Sequence, residues 1–272
     1  MKGRKNLLSY IILAILLVAV LFPILWMILI AFTPRQYLFE SIIPPRFTSR
    51  HFIAVLTDTK ALLAYRNSWI ISGGVVFLTL ILGIPAGYAF SRYKFSKLKT
   101  YLILFLLITQ MLPITLLATA YFRIVPSFGL YNSLFALILV DGTLTLPFAI
   151  LLLRSTFDTV PKELEEVAMI DGCSKMEAFI RITLPLATAG IFAAAFFSFL
   201  TAWIEFLYGL TLTSNTAARP MTVEMANRLG HYVIHWGELM AMACALTVPV
   251  LLVFLPFQNI LLKGFTGGAL KG

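Results

Sequence analysis

Residues 7–32 form an unbroken stretch of 26 positions without one charged side chain. As a helix rising 1.5 Å per residue, such a stretch outspans the roughly 30 Å hydrocarbon core of a bilayer, where only a helix satisfies its own backbone. Lys2, Arg4 and Lys5 precede it, as they would in a secretory leader. The run nevertheless exceeds the usual leader core of about 7–15 residues and carries no small-residue cleavage site, so it reads as an uncleaved first helix. Five further runs follow at about Ser68–Phe90, Thr100–Phe122, Ser133–Leu153, Leu186–Leu212 and Leu239–Leu262. Across the 272 residues, 60% are hydrophobic and 12% charged, about half the charged share of a soluble domain, which excludes a soluble enzyme or a disordered chain. The predicted class is all-α, a polytopic membrane protein with six transmembrane helices. Residues 1–66 hold the first helix and an external segment, and 67–272 the core.

Six spans put both termini on one side. The amino terminus carries three bases, and the connection after the second run carries Arg92, Lys94, Lys97 and Lys99 with no acid, whereas the opposite Arg123–Asn132 connection has only Arg123. By the positive-inside rule the termini are predicted to be cytoplasmic in a cell (inner) membrane. Of the 21 Lys and Arg, 13 then fall inside and 8 outside. The net charge of +9 is explained by orientation, and no nucleic acid is needed as a partner. Two cysteines, Cys173 and Cys244, indicate no disulfide framework.

Within the second run, Gly83 and Gly87 have the small-xxx-small spacing that lets helices approach closely. Pro85, Pro113 and Pro147 interrupt the second, third and fourth runs, where each removes a backbone donor and can kink its helix.

Between the fourth and fifth runs, Arg154 to Pro185 gathers half of the chain's 12 acids: Asp158, Glu163, Glu165, Glu166, Asp171 and Glu177. Pro161 suits the first position of a helix, and glutamates then fall in its first turns, where the helix dipole favours them. Leu164, Val167, Ala168 and Ile170 form an apolar face, and Asp171-Gly172 ends the helix. Ser174-Lys175-Met176-Glu177 has the spacing of a capping box, with Met176, Phe179 and Ile180 as the next apolar stripe before Leu184-Pro185. The expected product is a short helix-turn-helix at about 158–184 on the cytoplasmic membrane surface.

The heptapeptide Glu166-Val167-Ala168-Met169-Ile170-Asp171-Gly172, followed by Phe179 and Leu184-Pro185-Leu186, resembles the EAA loop of ABC-importer permeases. Val167 and Cys173 stand where that pattern usually has alanine, and Ala189 where a second proline is common. Ala202-Trp203-Ile204-Glu205-Phe206-Leu207, Trp236-Gly237-Glu238-Leu239-Met240-Ala241 and the terminal Gly264–Gly272 resemble the maltose-type carbohydrate permeases, with Ile204 in place of a common asparagine. The resemblance implies a MetI-like permease core and a transporter subunit rather than an enzyme. It implies a sugar or oligosaccharide as cargo, and as partners a second homologous permease, two ATPase subunits and an extracytoplasmic substrate-binding protein. Coupling to the ATPase is carried over to Glu163, Glu166, Ala168, Asp171, Gly172, Phe179, Leu184 and Pro185, and the tail Gly268–Gly272 is a second coupling candidate. A permease for amino acids, polyamines or phosphate, and an autonomous ion-coupled carrier, are the alternatives.

No G-x-x-x-x-G-K-[ST] occurs, so no cofactor is expected on this chain; ATP and Mg are expected on the partner ATPase. His51, His231 and His235 fall in external loops and form no metal-ligand spacing. Charge inside a span costs about 2.5–3.5 kcal/mol on insertion scales, which makes Asp141 and Glu205 conspicuous. Both are expected roughly 8–12 Å deep from the outer surface. With Gln110 and Trp203 they form a candidate substrate path, since carboxylates and amides bond hydroxyls and indole stacks on a pyranose. Interhelical hydrogen bonding or a water-filled crevice explains the same acids without sugar contact, and the two readings stay open. The external 214–238 connection, with Arg219, Glu224, Arg228, Tyr232 and Trp236, suits a protein interface, and the resemblance implies that the binding protein docks there.

Overall fold

The computed structural model describes residues 2–38, 40, 43–93, 96–230 and 234–269. Its long helices are α1 (Lys2–Ala31), α3 (Thr59–Arg92), α6 (Leu134–Asp158) and α13 (Trp236–Ala269), with α2 (Arg50–Thr57) a short helix before α3. Each long helix carries an apolar stretch sufficient to cross a membrane, and no strand occurs among the described residues. Two bent helix pairs bring the candidate spans to six where each pair counts as one span. Pro23, Pro85 and Pro147 lie inside continuous helices.

The third and fifth apolar runs are not the continuous helices expected. The third divides into α4 (Ser96–Gln110) and α5 (Ile114–Ser127), set at 94° to one another. Pro113 has no N–H to donate and disfavours helical backbone before it; it stands extended as the N-cap of α5, at φ −61° and ψ 131°, with its carbonyl receiving Leu116 N at 3.0 Å. The fifth run divides at Glu205-Phe206 into α10 (Thr188–Ile204) and α11 (Leu207–Leu212). Helix α12 (Met221–Leu229) then forms within the connection to α13.

The chain comprises two compact units, Met1–Leu62 with Glu224–Pro249, and Leu63–Val223 with Val250–Gly272. In the first, Arg228 binds the Asp58 carboxylate and also meets Glu238 at 3.4 Å and Glu224 at 3.7 Å. His51 Nε2 lies 3.0 Å from the Thr33 carbonyl, and the Phe32 and Phe52 rings pack at 4.7 Å.

In the second unit, α6 is the central helix. One end of it packs Ala136, Leu137 and Val140 with Ile71 and Val75 of α3, Ala118 of α5 and Tyr208 of α11. The other end packs Ala149, Leu153 and Phe157 with Ala194 of α10. Gly87 permits the approach of α3: a Cβ there would stand 2.8 Å from Leu153 Cβ and 3.0 Å from Arg154 N. That is the close packing read from the Gly83/Gly87 spacing.

Candidate functional site

The hairpin between α6 and α10 begins with α7 (Lys162–Ile170), for which the extended Pro161 is the N-cap rather than the first helical residue. Asp171 is its C-cap, and Gly172 takes φ +96°, a backbone conformation closed to ordinary side chains. Gly172 N donates to Met169 O at 3.2 Å and Cys173 N to Ala168 O at 3.0 Å, the paired bonds of a Schellman motif. The expected capping box forms: Ser174 N donates to Glu177 Oε2 at 2.8 Å, and Glu177 N donates to Ser174 Oγ at 3.3 Å. The Ser174 contacts and nearby Arg181 hold the Glu177 carboxyl below its ordinary pKa.

From Ser174 the chain runs through α8 (Lys175–Ala178), a π-helical turn at Phe179–Thr183 and α9 (Leu184–Leu186). Pro185 cannot donate to Arg181 O, and its ring crowds that carbonyl, which accounts for the widened turn before it. This helical stretch meets α10 at 74°. Phe179 packs its ring 4.4 Å from that of Tyr88 on α3 and 6.1 Å from that of Phe157 on α6. Leu184 is half-buried, and Pro185 is exposed.

Sequence reasoning placed Leu164, Val167, Ala168 and Ile170 on one apolar face. In the structure Ala168 turns inward with Glu165, while Ile170 is 84% exposed and Leu164 and Val167 are exposed too. Met176 is exposed beyond the turn, and Glu163, Glu166 and Asp171 share the outward side. The hairpin therefore presents apolar side chains interleaved with carboxylates to its surroundings.

What holds the inner side is Glu165, which sequence reasoning credited only to the helix dipole. Its Oε1 accepts from Arg92 Nε at 2.7 Å and from Thr183 Oγ1 at 2.6 Å, and its Oε2 accepts from Tyr88 OH at 2.7 Å. Arg92, in the last turn of α3, also donates to the carbonyls of Phe157 and Val160 at 3.0 Å each. Ser91 Oγ adds a bond to Asp158 at 2.6 Å, and Lys175 Nζ lies 4.2 Å over the Tyr93 ring. Burial raises the Glu165 pKa, but the bonds from Thr183, Tyr88 and Arg92 outweigh it, and the carboxyl sits below its ordinary value. The available sequence signal was a basic residue ending the second run and a glutamate spaced three before the small Ala168.

Of the four residues of the candidate substrate path, Asp141 and Glu205 stand near enough to interact electrostatically, with Tyr208 beside both. Glu205 lies in the break after α10 and caps α11, accepting from Tyr208 N at 2.8 Å and Gly209 N at 3.0 Å. Asp141 is buried in α6, and its Oδ1 has no hydrogen-bond partner among the described residues; neither has the Tyr208 hydroxyl. Gln110 Nε2 reaches the carbonyl of Leu144 at 3.3 Å, and Tyr121 OH reaches Thr143 Oγ1 at 2.8 Å, so α4 and α5 both bond to the α6 turn just beyond Asp141. The Tyr121 and Tyr208 rings meet edge to face at 5.5 Å. Trp203 stands in a separate aromatic cluster, stacked on Phe199 at 5.3 Å with Trp69 at 5.1 Å and Tyr65 at 5.9 Å, and is 2% exposed.

Of the remaining sequence candidates, Gly268 and Ala269 fall at the end of α13, while Leu270, Lys271 and Gly272, with Lys94, His231 and Tyr232, lie outside the described residues. Among the described residues no group of His, Cys, Asp and Glu is arranged to hold a metal ion.

Residues 79–266 match the family model described as binding-protein-dependent transport system inner membrane component. The chain is 35% identical over 256 residues to the trehalose/maltose transport system permease protein MalG of Thermococcus litoralis, covering 93% of this chain and 92% of that protein. It is 32% identical over 262 residues to the diacetylchitobiose uptake system permease protein DasC of Streptomyces coelicolor, covering 95% and 94%. Its fold resembles that of a chain in the crystal structure of a bacterial ABC transporter involved in alginate import, with a TM-score of 0.81, 18% identity and coverage of 94% and 96%.

Proposed function

The chain belongs to the family of binding-protein-dependent transport system inner membrane components, and on that premise we propose that this ABC-importer permease subunit conducts a sugar or oligosaccharide, driven by a separate ATPase through the α7–α9 hairpin. Two sugar-system relatives matched over more than nine-tenths of the chain support the substrate class.

The observation that carries the coupling role is the two-sided hairpin. Outward, Ile170, Val167 and Met176 expose apolar surface beside Glu163, Glu166 and Asp171. An apolar side chain of this size gains about 1.5–3 kcal/mol on full burial, so a partner groove that covers them binds firmly, and the carboxylates orient it. Inward, Glu165 and Arg92 clamp α7 to the ends of α3 and α6. A displacement imposed on the outer face then moves both helices without stretching the connection.

In this reading both termini and the hairpin are cytoplasmic, in a cell membrane. Two ATPase subunits bind ATP and Mg, and this chain binds neither. Closure of the ATPases pulls the hairpin, and this subunit rocks with a second, homologous permease so that the central path opens alternately to each side. An extracytoplasmic binding protein delivers the sugar to the connection that contains α12. Asp141, with Gln110 and Tyr121 bonded to the adjoining α6 turn, supplies the polar groups of the path; Glu205 holds the helix break that shapes it, and Trp203 braces α10 against α3.

Two surface substitutions test this. Ile170→Asp and Glu166→Lys alter exposed side chains and are expected to leave the amount of membrane-inserted protein unchanged while abolishing ATP-driven uptake of radiolabelled sugar and co-purification of the ATPase. Normal uptake in both variants would exclude the hairpin as the coupling element.

A further inference from the structure

The first unit contains two adjoining concavities along the same pair of chain segments. A polar cleft of about 870 Å³ is lined by Arg35, Gln36, Thr48, Arg50 and His51, with His235 and Glu238 opposite. An apolar groove of about 500 Å³ is lined by Phe22, Trp26, Met27 and Ile30 of α1 and by Trp236 and Met240 of α13. The lining passes from one to the other within a turn: Ile30 to Pro34 on one side, and His235 to Trp236 on the other.

We infer that this composite site binds one anionic phospholipid, with its phosphate in the Arg35/Arg50 cleft and an acyl chain along the Trp26–Trp236 groove. The level is right. The apolar span of α1 ends at Ala31, so Arg35 stands just beyond the hydrocarbon, where headgroups lie, and Trp26 and Trp236 occupy the belt in which indoles are enriched. The charge is right as well. Arg35 and Arg50 are exposed and form no ion pair with a described residue, whereas Glu238, the acid of the cleft, is engaged by Arg228 at 3.4 Å. His51 is tethered through Nε2 to the Thr33 carbonyl at 3.0 Å, at the edge of the cleft. A guanidinium pair with a hydroxyl and an amide matches a phosphodiester, and an unpartnered apolar groove beneath it matches an acyl chain rather than a free anion.

The test uses the purified transporter containing the full chain, in phosphatidylcholine nanodiscs doped with phosphatidylglycerol or phosphatidylcholine bearing a photoactivatable acyl chain. Labelled peptides are then identified by mass spectrometry. Labelling within 22–30 and 236–240 is expected to favour phosphatidylglycerol on the order of tenfold, since each arginine near a membrane surface contributes substantially to anionic-lipid preference. Arg35→Ala/Arg50→Ala should reduce that preference to near unity, and Arg46→Ala, an exposed neighbour that does not line the cleft, should preserve it. Should the double variant not reach the membrane, single Arg35→Gln and Arg50→Gln variants should each lower the preference a few-fold.

Equal labelling by both lipids, a preference unchanged in the arginine variants, or an equal loss in Arg46→Ala would overturn the assignment. So would absence of label from both segments, which would mean that protein covers the groove. Loss of uptake in the arginine variants with lipid preference intact would assign the arginines to a protein partner instead.

Discussion

Arg92 and Glu165, 73 positions apart, are joined at 2.7 Å with side chains only 5% and 8% exposed. The pair ties the last turn of α3 to α7, and Arg92 ties the same point to the end of α6 through two carbonyls. Removing one partner of a buried pair leaves a desolvated charge, so Glu165→Ala is expected to destabilise the protein by about 3 kcal/mol. Glu165→Gln keeps one acceptor oxygen for Arg92 and Thr183 and turns its NH2 to the Tyr88 hydroxyl, which can accept, so it should cost less. Thermal unfolding of the purified transporter ranks the two, and uptake should fall in the same order.

The same carboxyl makes a pH prediction. Its pKa lies below the ordinary 4.5 in the folded state, so its contribution is complete above about pH 4.5 and disappears as pH falls through the folded value. Melting temperature should therefore show no Glu165 component between about pH 7 and 5, and an acid-side loss that Glu165→Gln lacks. A Glu165 component appearing on the alkaline side would contradict the assigned bonds.

Gly172 occupies φ +96°, and a Cβ there meets nothing within 4 Å. The obstacle to substitution is thus backbone conformation rather than space. Gly172→Ala should destabilise the hairpin by about 1–2 kcal/mol, and β-branched Gly172→Val by more. Hydrogen exchange of the amides of Gly172 and Cys173, which close the Schellman bonds, would report the loss directly, and uptake should decline with it.

Glu205 uses both carboxylate oxygens on backbone donors of α11. Glu205→Ala should therefore cost about 1–2 kcal/mol, as loss of a helix cap does, whereas Glu205→Gln, which keeps one of the two acceptor oxygens, should cost less. Uptake KM should stay unchanged in Glu205→Gln. A large change in KM at unaltered stability would make Glu205 a sugar ligand instead.

Arg228 stands among Asp58, Glu224 and Glu238. Burial raises the Asp58 pKa, but bonds from Arg228 and Lys60 N outweigh it, so the carboxyl stays charged beside the guanidinium. Arg228→Ala should cost about 1 kcal/mol in this partly exposed site, more at low salt than at high, because three carboxylates are left facing one another. Calorimetry at two ionic strengths checks both the size and the salt dependence.

Much of this molecule was legible in the chain itself. Four apolar runs became continuous helices because a backbone in lipid has no partner but its own carbonyls. The Asp171-Gly172 stop and the Ser174–Glu177 capping box formed as read, because caps depend on residues within a few positions. Less legible were the two broken runs. Hydropathy is continuous across Pro113 and across Glu205, and neither residue announces whether its helix will bend or end; Pro85 and Pro147, of the same type, leave their helices whole.

Sequence alone thus determined the membrane class, the four continuous spans and the presence of a capped hairpin, all consequences of local composition and short-range hydrogen bonding. Tertiary structure decided which face of that hairpin turns inward, and that a glutamate rather than an apolar stripe anchors it. The reason is that a nine-residue helix with exposed Ile170 and Val167 has no unique burial face until Arg92, Tyr88 and Thr183 arrive from other elements to satisfy Glu165. The same long-range logic gave the two acids of the fourth and fifth runs different tasks though they stand near enough to interact: Glu205 caps α11, and Asp141 is buried with its Oδ1 unpartnered among the described residues.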